Sequence, residues 1–170
     1  MAHILLDIDG VLNPSPFAPH DSPDWKFEPQ LKSSKASGGF TLNLSREMAG
    51  AILGLGCDIQ WLTTWGHHAH FNVGMHFDWI NYPVLAEPPE SRGMYGGSTD
   101  WLWKPRAVMD FLKNPGDKVI WVDDDADYYV AHWSEHGLVL DPHNRLLVVC
   151  PDTDTGLTKA HIESIREFLK

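Results

Sequence analysis

Short apolar runs alternate along the chain with stretches in which apolar residues recur every three or four positions, the pattern of strands interleaved with helices. Residues 3 to 6 form the first run, which stops abruptly at Asp7-Ile8-Asp9-Gly10, as a buried parallel strand does when it ends at a functional loop. Leu44, Met48, Ala51, Ile52 and Leu55 follow at helical spacing, with Ser45 at the N-cap and Gly56 as the stop. Ile59 to Leu62 read as a second strand leading into Thr63-Thr64. His67 to Trp79 reads as a helix weakened by Gly74, and Tyr82 to Ala86 as a third strand. Pro105 suits the first turn of a helix that carries Val108, Phe111 and Leu112 and closes at Asn114-Pro115-Gly116. Val119 to Val122 is a fourth strand and runs directly into Asp123-Asp124-Asp125. A helix from about Ala126 to His136, strands at Leu138 to Leu140 and Leu146 to Val149, and a helix from Thr158 complete the pattern.

This alternation predicts an α/β three-layer sandwich around a mostly parallel central sheet. Right-handed crossovers gather the strand ends on one edge, where such folds bind their ligands. Two segments break the pattern. Residues 14 to 43 carry five Pro and the pair Gly38-Gly39, and read as a loop with a hairpin; residues 87 to 100 carry Pro88-Pro89 and Gly96-Gly97, and read as a loop. Both are too small for a second domain, so a single domain over 1–170 with insertions at about 14–43 and 87–100 is expected.

The 170 residues suffice to bury a sizeable core, and 43% apolar with 21% charged residues exclude disordered, collagenous and coiled-coil classes. With 23 acids against 13 bases the net charge is −10, which disfavours broad binding to phosphate backbones. Cys57 and Cys150 are too few for a disulfide scaffold and read as buried thiols. Asp7 and Asp9 cut the only apolar run near the N-terminus, and no stretch approaches the length of a membrane span; a cytoplasmic protein without a signal peptide is expected.

Polar chemistry sits where the strands end: Asp7 and Asp9, Thr63 and Thr64, Asp123 to Asp125. Two carboxylates about 4 Å apart repel by roughly 4 kcal/mol at an effective dielectric of 20, so such a cluster needs a cation or a proton. An all-oxygen shell suits Mg²⁺ better than Zn²⁺, and Lys104 could supply an organic cation.

These residues resemble the haloacid dehalogenase-like (HAD) phosphohydrolases. Leu5-Leu6-Asp7-Ile8-Asp9-Gly10-Val11-Leu12 is similar to the first motif of that superfamily, Trp61-Leu62-Thr63 to the second, Lys104 to the lysine of the third and Trp121-Val122-Asp123-Asp124 to the fourth. The resemblance implies a Rossmann-like HAD fold with a minimal cap, a Mg²⁺ cofactor and phosphatase chemistry through an aspartyl-phosphate. It assigns Asp7 as nucleophile and metal ligand and Asp9 as general acid and base, counted also among the metal-binding acids. Thr63 would contact the phosphoryl group, Lys104 would neutralise its charge, Asp123 would orient Lys104, and Asp124 would bind the metal. Asp123 and Asp124 remain interchangeable by one register, as do Thr63 and Thr64. The short insertions imply an open site for a large or nucleotide-type phosphomonoester. Small bacterial members associated with RNA end repair are similar in size, in Thr63-Thr64-Trp65 and in the turn Gly156-Leu157-Thr158. The competing readings are a catalytically idle domain that senses phosphate or binds protein, and a nucleic-acid end-repair module acting with a partner.

Eight Trp are many for this length. Trp25, Trp65, Trp101 and Trp103 fall in expected loops or strand ends, where they either pack or stack on a base; with Thr64, the last three are candidate substrate contacts. His67, His68, His70 and His76 lack the spacing of a zinc site and read as surface residues, as do Arg92 and Arg106.

Overall fold

The computed structural model describes residues 1–15, 24–28, 31–32, 39, 41–79, 81–89, 101–135 and 144–170. Four parallel strands form the central sheet in the order β4 (Asp58–Trp61), β1 (Ala2–Leu6), β5 (Lys118–Val122), β6 (Leu146–Val149). The predicted α/β class with a parallel sheet is what the chain adopts.

β1 and β5 occupy the middle, and their runs of bulky apolar residues fit because helices cover both faces. Alternate strand residues divide into two cores. Ile4, Leu6, Ile59, Trp61, Ile120 and Val122 pack with Met48 and Ile52 of α1 (Arg46–Leu53) and with Ile162 and Ile165 of α5 (Lys159–Leu169). Leu5, Val119 and Trp121 pack on the other face with Val108 and Leu112 of α3 (Trp103–Leu112) and with Ala126 and Trp133 of α4 (Ala126–Glu135). Ser45 caps α1 by accepting from the Met48 amide at 3.3 Å, and Thr158 with His161 closes a capping box at the start of α5.

The first insertion contains the expected hairpin as the antiparallel pair β2 (Leu31–Lys32) and β3 (Thr41–Leu42). The helix expected over 67–79 is a π-helical turn at His70–Gly74 followed by the short α2 (Met75–Phe77). The widened turn closes where the Trp79 amide donates to the Gly74 carbonyl at 2.7 Å, and a Cβ at Gly74 would stand 3.1 Å from the Trp79 oxygen. The strand expected at Tyr82 to Ala86 is a single parallel bridge between Trp61 and Val84. Pro83 accepts from Trp61 but has no N–H to give, so the ladder does not extend. The expected strand at Leu138 to Leu140, and residues 90–100 of the second insertion, lie outside the described residues. Trp25 packs in the core, as one of its two readings had it: only 7% exposed, its indole N–H donates to the Leu157 carbonyl at 2.6 Å. Cys57 and Cys150 are both unpaired and half-buried. No helix among the described residues is long and apolar enough to cross a membrane.

Candidate active site

Sheet register sets the geometry. Leu6 stands level with both Trp61 and Val122, and Val122 with Val149, so four strands end at one height. The next residues are still held by the ladder: the Asp7 amide donates to Val122, that of Leu62 to Leu6 and that of Asp123 to Val149, at 2.9–3.1 Å. Asp7, Thr63 and Asp123 are thereby brought to one edge, all of them buried.

Past β1 the chain folds back on itself. The amides of Leu12 and Asn13 both donate to the Ile8 carbonyl, and the Gly10 amide donates to the Asn13 carbonyl. Gly10 is required on two counts: its φ is 67°, and a Cβ there would stand 2.0 Å from Asp124 Oδ2. The tight loop thus lets its backbone lie against an acid that is more than a hundred residues away in sequence.

Lys104, near the start of α3 and 3% exposed, joins the strand ends electrostatically. Its Nζ lies 2.5 Å from Asp7 Oδ2 and 2.8 Å from Asp123 Oδ2. Burial alone would draw the lysine down; the charges and hydrogen bonds of Asp7 and Asp123 outweigh it and hold the ammonium above its ordinary range. The second oxygen of each acid is engaged by backbone: Asp7 Oδ1 accepts from the Ile8 amide at 2.7 Å, and Asp123 Oδ1 from the Asp125 amide at 3.0 Å.

Asp124 adds a third carboxylate. One ligand oxygen from each of Asp7, Asp123 and Asp124 falls within 4.8 Å of the others. Among the described residues one lysine stands against these three acids, a formal excess of two negative charges at the edge of the core. Burial first and then Asp7 push the Asp123 carboxyl up to about 7, against the pull of Lys104. The raised lysine and the raised acid express one condition: the ammonium keeps its proton while the surplus carboxylates readily take one up. Burial also raises Asp124, opposed by the Thr153 hydroxyl, which donates to its Oδ2 at 2.8 Å. The surplus charge and the all-oxygen donor set fit a hard divalent cation. Asp7 and Asp123 each have both oxygens engaged by Lys104 and by backbone, so occupancy does not separate them as ligands, whereas Asp124 takes the Thr153 hydroxyl on Oδ2 and no bond from Lys104.

Asp9, expected among the metal-binding acids, is exposed and its carboxylate is not part of this group. Its Oδ1 accepts from Asn13 Nδ2 at 2.9 Å and its Oδ2 from the indole N–H of Trp65 at 2.7 Å. Thr63 is fully buried, with its Oγ1 accepting from the Trp65 amide at 3.4 Å, whereas Thr64 is exposed. Trp103 packs against the α3/α4 core with its ring 6.0 Å from Lys104 Nζ. Trp101 is 39% exposed and meets Tyr128 and His132 of α4 at ring distances of 6.0 and 5.6 Å. Tyr129 continues this aromatic group, in contact with Tyr128 and stacked on Trp121. Burial pushes its hydroxyl up to about 12; Lys104 pulls it down while Asp123, Asp125 and Asp7 push it further up, so the ring stands within the field of the site.

His67 and His68 meet at a ring distance of 4.1 Å, but among the described residues no histidine joins a metal-binding group. His67 lies 3.8 Å from Glu87, and His76 is 3.0 Å from Glu28. Arg106 is exposed on α3, and Arg92 lies outside the described residues.

Sequence reasoning missed Thr153, Asn13 and Tyr129. Thr153 was open to discovery: Pro151-Asp152-Thr153-Asp154-Thr155-Gly156 is a polar, Gly-ended turn after an apolar strand, the same signature that marked the other strand ends. Asn13 and Tyr129 give no comparable signal, because each matters through the side chain that it meets.

The profile of the family described as "HAD domain in Swiss Army Knife RNA repair proteins" matches residues 3–162. No curated protein and no solved structure matches the chain. The match spans nearly the whole sequence, from β1 through Ile162 in α5, and takes in all the strand ends just described. The chain therefore belongs to the family of HAD domains found in Swiss Army Knife RNA repair proteins.

Proposed function

We propose that the protein is a Mg²⁺-dependent phosphohydrolase that works through an aspartyl-phosphate on Asp7, within one domain over 1–170. The observation that carries this reading is the buried ammonium of Lys104 held between Asp7 and Asp123 at the aligned strand ends. HAD domains are hydrolases broadly, and this arrangement supplies what phosphoryl transfer needs most, fixed charge around the transferring group.

Asp7 attacks phosphorus with one carboxylate oxygen. Lys104 is kept fully protonated and neutralises the charge of the phosphoryl oxygens, and Asp123 holds it in place. Thr63 accepts from backbone, which leaves its own O–H to donate to a phosphoryl oxygen. Asp9 protonates the leaving oxygen and then takes the proton of the hydrolytic water. Asp7 and Asp124 would hold Mg²⁺, which when bound offsets the remaining negative charge of acids and phosphate.

The substrate is a phosphomonoester of a nucleotide-type or other large group. Trp101 and Tyr128 expose aromatic surface beside a ring that lies in the field of the site, and base–aromatic stacking tolerates any base. The RNA repair setting named in the family's description favours a nucleic-acid end over a free sugar phosphate. Hydrolysis of p-nitrophenyl phosphate with Mg²⁺ and with a chelator tests the chemistry, and a panel of phosphorylated sugars, nucleotides, peptides and RNA ends tests the substrate. Turnover should vanish with the chelator and be highest on a nucleotide or RNA end. Full activity in metal-free buffer overturns the mechanism; a wide preference for a sugar phosphate overturns the substrate class.

A further inference from the structure

The Trp65 side chain comes from the segment just after β4, 56 residues from Asp9, yet its indole N–H meets Asp9 Oδ2 at 2.7 Å. The other oxygen, Oδ1, meets Asn13 Nδ2 at 2.9 Å. Each donor is itself fixed. Asn13 is 5% exposed, and its own Oδ1 accepts from the Asn43 amide at 2.8 Å, just past β3. The Trp65 backbone amide donates to Thr63 Oγ1, and Gly66, with φ at 49°, turns the chain immediately afterwards. Turning the Asp9 carboxyl about χ2 draws its oxygens away from two N–H donors, one on each oxygen.

We infer that Trp65 is a positioning residue for Asp9: its indole N–H, with Asn13 opposite, fixes the carboxyl group that exchanges protons with the leaving oxygen. The inference rests on the proposed role of Asp9 and assigns Trp65 a task different from base stacking. Only the N–H is needed for positioning, whereas stacking needs only the ring. Each oxygen of a carboxyl group has two lone-pair directions, so one bond from Asn13 and one from Trp65 leave room for the travelling proton.

The test separates the two uses of the ring. Trp65→Phe keeps an aromatic face and removes the donor, while the surface position of the bond limits the cost to folding. With excess Mg²⁺, kcat and KM are measured for Trp65→Phe, Asp9→Asn and the parent on two esters: p-nitrophenyl phosphate, whose leaving group needs little protonation, and a nucleoside monophosphate, whose alkoxide needs much. General acid catalysis is worth about 10²–10⁴-fold, so losing the orientation of the acid should lower kcat on the nucleotide about tenfold more than on the aryl ester, with KM held within about twofold. Asp9→Asn should show the same leaving-group split, only larger. A split in Asp9→Asn without one in Trp65→Phe overturns the positioning role and leaves the proposed mechanism standing. No split in either variant removes the role of Asp9 itself, and the inference falls with it. Equal losses on both esters with a raised KM for the nucleotide make Trp65 a binding residue instead.

Discussion

Replacing Lys104 by Met keeps the bulk of the side chain and removes the ammonium held between Asp7 and Asp123. The loss is large because Lys104 is 3% exposed and meets two carboxylates at hydrogen-bond distance, so water cannot take its place. Breaking a buried ion pair from one side costs about 3–5 kcal/mol. Independently, two carboxylates at the 4.8 Å limit of this cluster repel by about 3.5 kcal/mol at a dielectric of 20. At about 2–4 °C per kcal/mol for a chain of this size, Tm should fall by about 6–20 °C in metal-free buffer near pH 8. The pH dependence has a definite sign. An acid raised in the folded state binds more protons there than in the unfolded chain, so stability falls as pH rises through the window between the two values. For Asp123 that window runs from the ordinary carboxylate range to about 7, and removing the lysine carries it higher. Lys104→Met should therefore lie closest to the parent near pH 5 and furthest from it at pH 8. Mg²⁺ at a hundred times its dissociation constant should return about 2.7 kcal/mol by mass action. Turnover should stay about 10²–10³-fold down even with the metal, since the fixed charge on the phosphoryl oxygens is gone. Scanning calorimetry from pH 5 to 8, with and without Mg²⁺, checks the stabilities, and hydrolysis of p-nitrophenyl phosphate checks the turnover. A variant whose melting temperature tracks the parent at every pH would refute the reasoning.

Asp7→Asn should abolish turnover, because an amide does not attack phosphorus, whereas Asp9→Asn should still trap some phospho-enzyme from p-nitrophenyl phosphate; rapid-quench single-turnover assays distinguish them, and an Asp7→Asn rate equal to the parent's excludes the nucleophile. Trp101→Ala and Tyr128→Ala should lower kcat/KM for a nucleotide about 5- to 150-fold more than for a small alkyl phosphate, the worth of one stacked base; equal losses on both substrates make these rings structural. Burial lowers the His161 imidazole, against the pull of Asp24, and its Nδ1 accepts the Thr158 amide at 3.1 Å. That contribution is full above about pH 6.5 and is lost as pH falls through the depressed value, so His161→Ala should cost about 1 kcal/mol at pH 7 and flatten the fall in Tm towards pH 5.

The strands that carry the site were legible because each is an apolar run cut short by a polar residue, and in a parallel sheet that pattern has one meaning: the polar residue stands at the carboxyl edge. Asp7, Thr63 and Asp123 were found this way. Lys104 does not end a strand: Trp101-Leu102-Trp103 before it leads into α3, so the residues offered it only as a cation for the acids and its role came from resemblance; its value lies in α3 delivering an ammonium between two strands. The direction of Asp9 was not legible, because it depends on an indole 56 residues away. For Trp25 the loop was legible and the choice between packing and stacking was not. A Trp in a Pro-rich segment signals a loop, but the loop crosses α5's entry turn and buries the ring there, beneath Lys159 Nζ at 5.4 Å. The π-helical turn escaped too, since apolar spacing cannot tell a widened turn from a regular one before Gly74 and Trp79 meet.

The strand order has a consequence for how the molecule comes into being. β1 is made first but sits between β4 and β5, so it waits for more than fifty residues on one side and more than a hundred on the other. The contacts at the site are equally remote: 97 residues separate Lys104 from Asp7, and 29 separate Thr153 from Asp124. Such topologies fold slowly, because chain closure precedes the contacts that reward it. Here closure also gathers like charges, so the lysine must arrive with the acids rather than after them. Folding should thus quicken as ionic strength rises, until screening begins to weaken the finished lysine–carboxylate contacts. A nascent chain that stops short of β5 holds Asp7 but neither Lys104's second partner nor the other acids of the site.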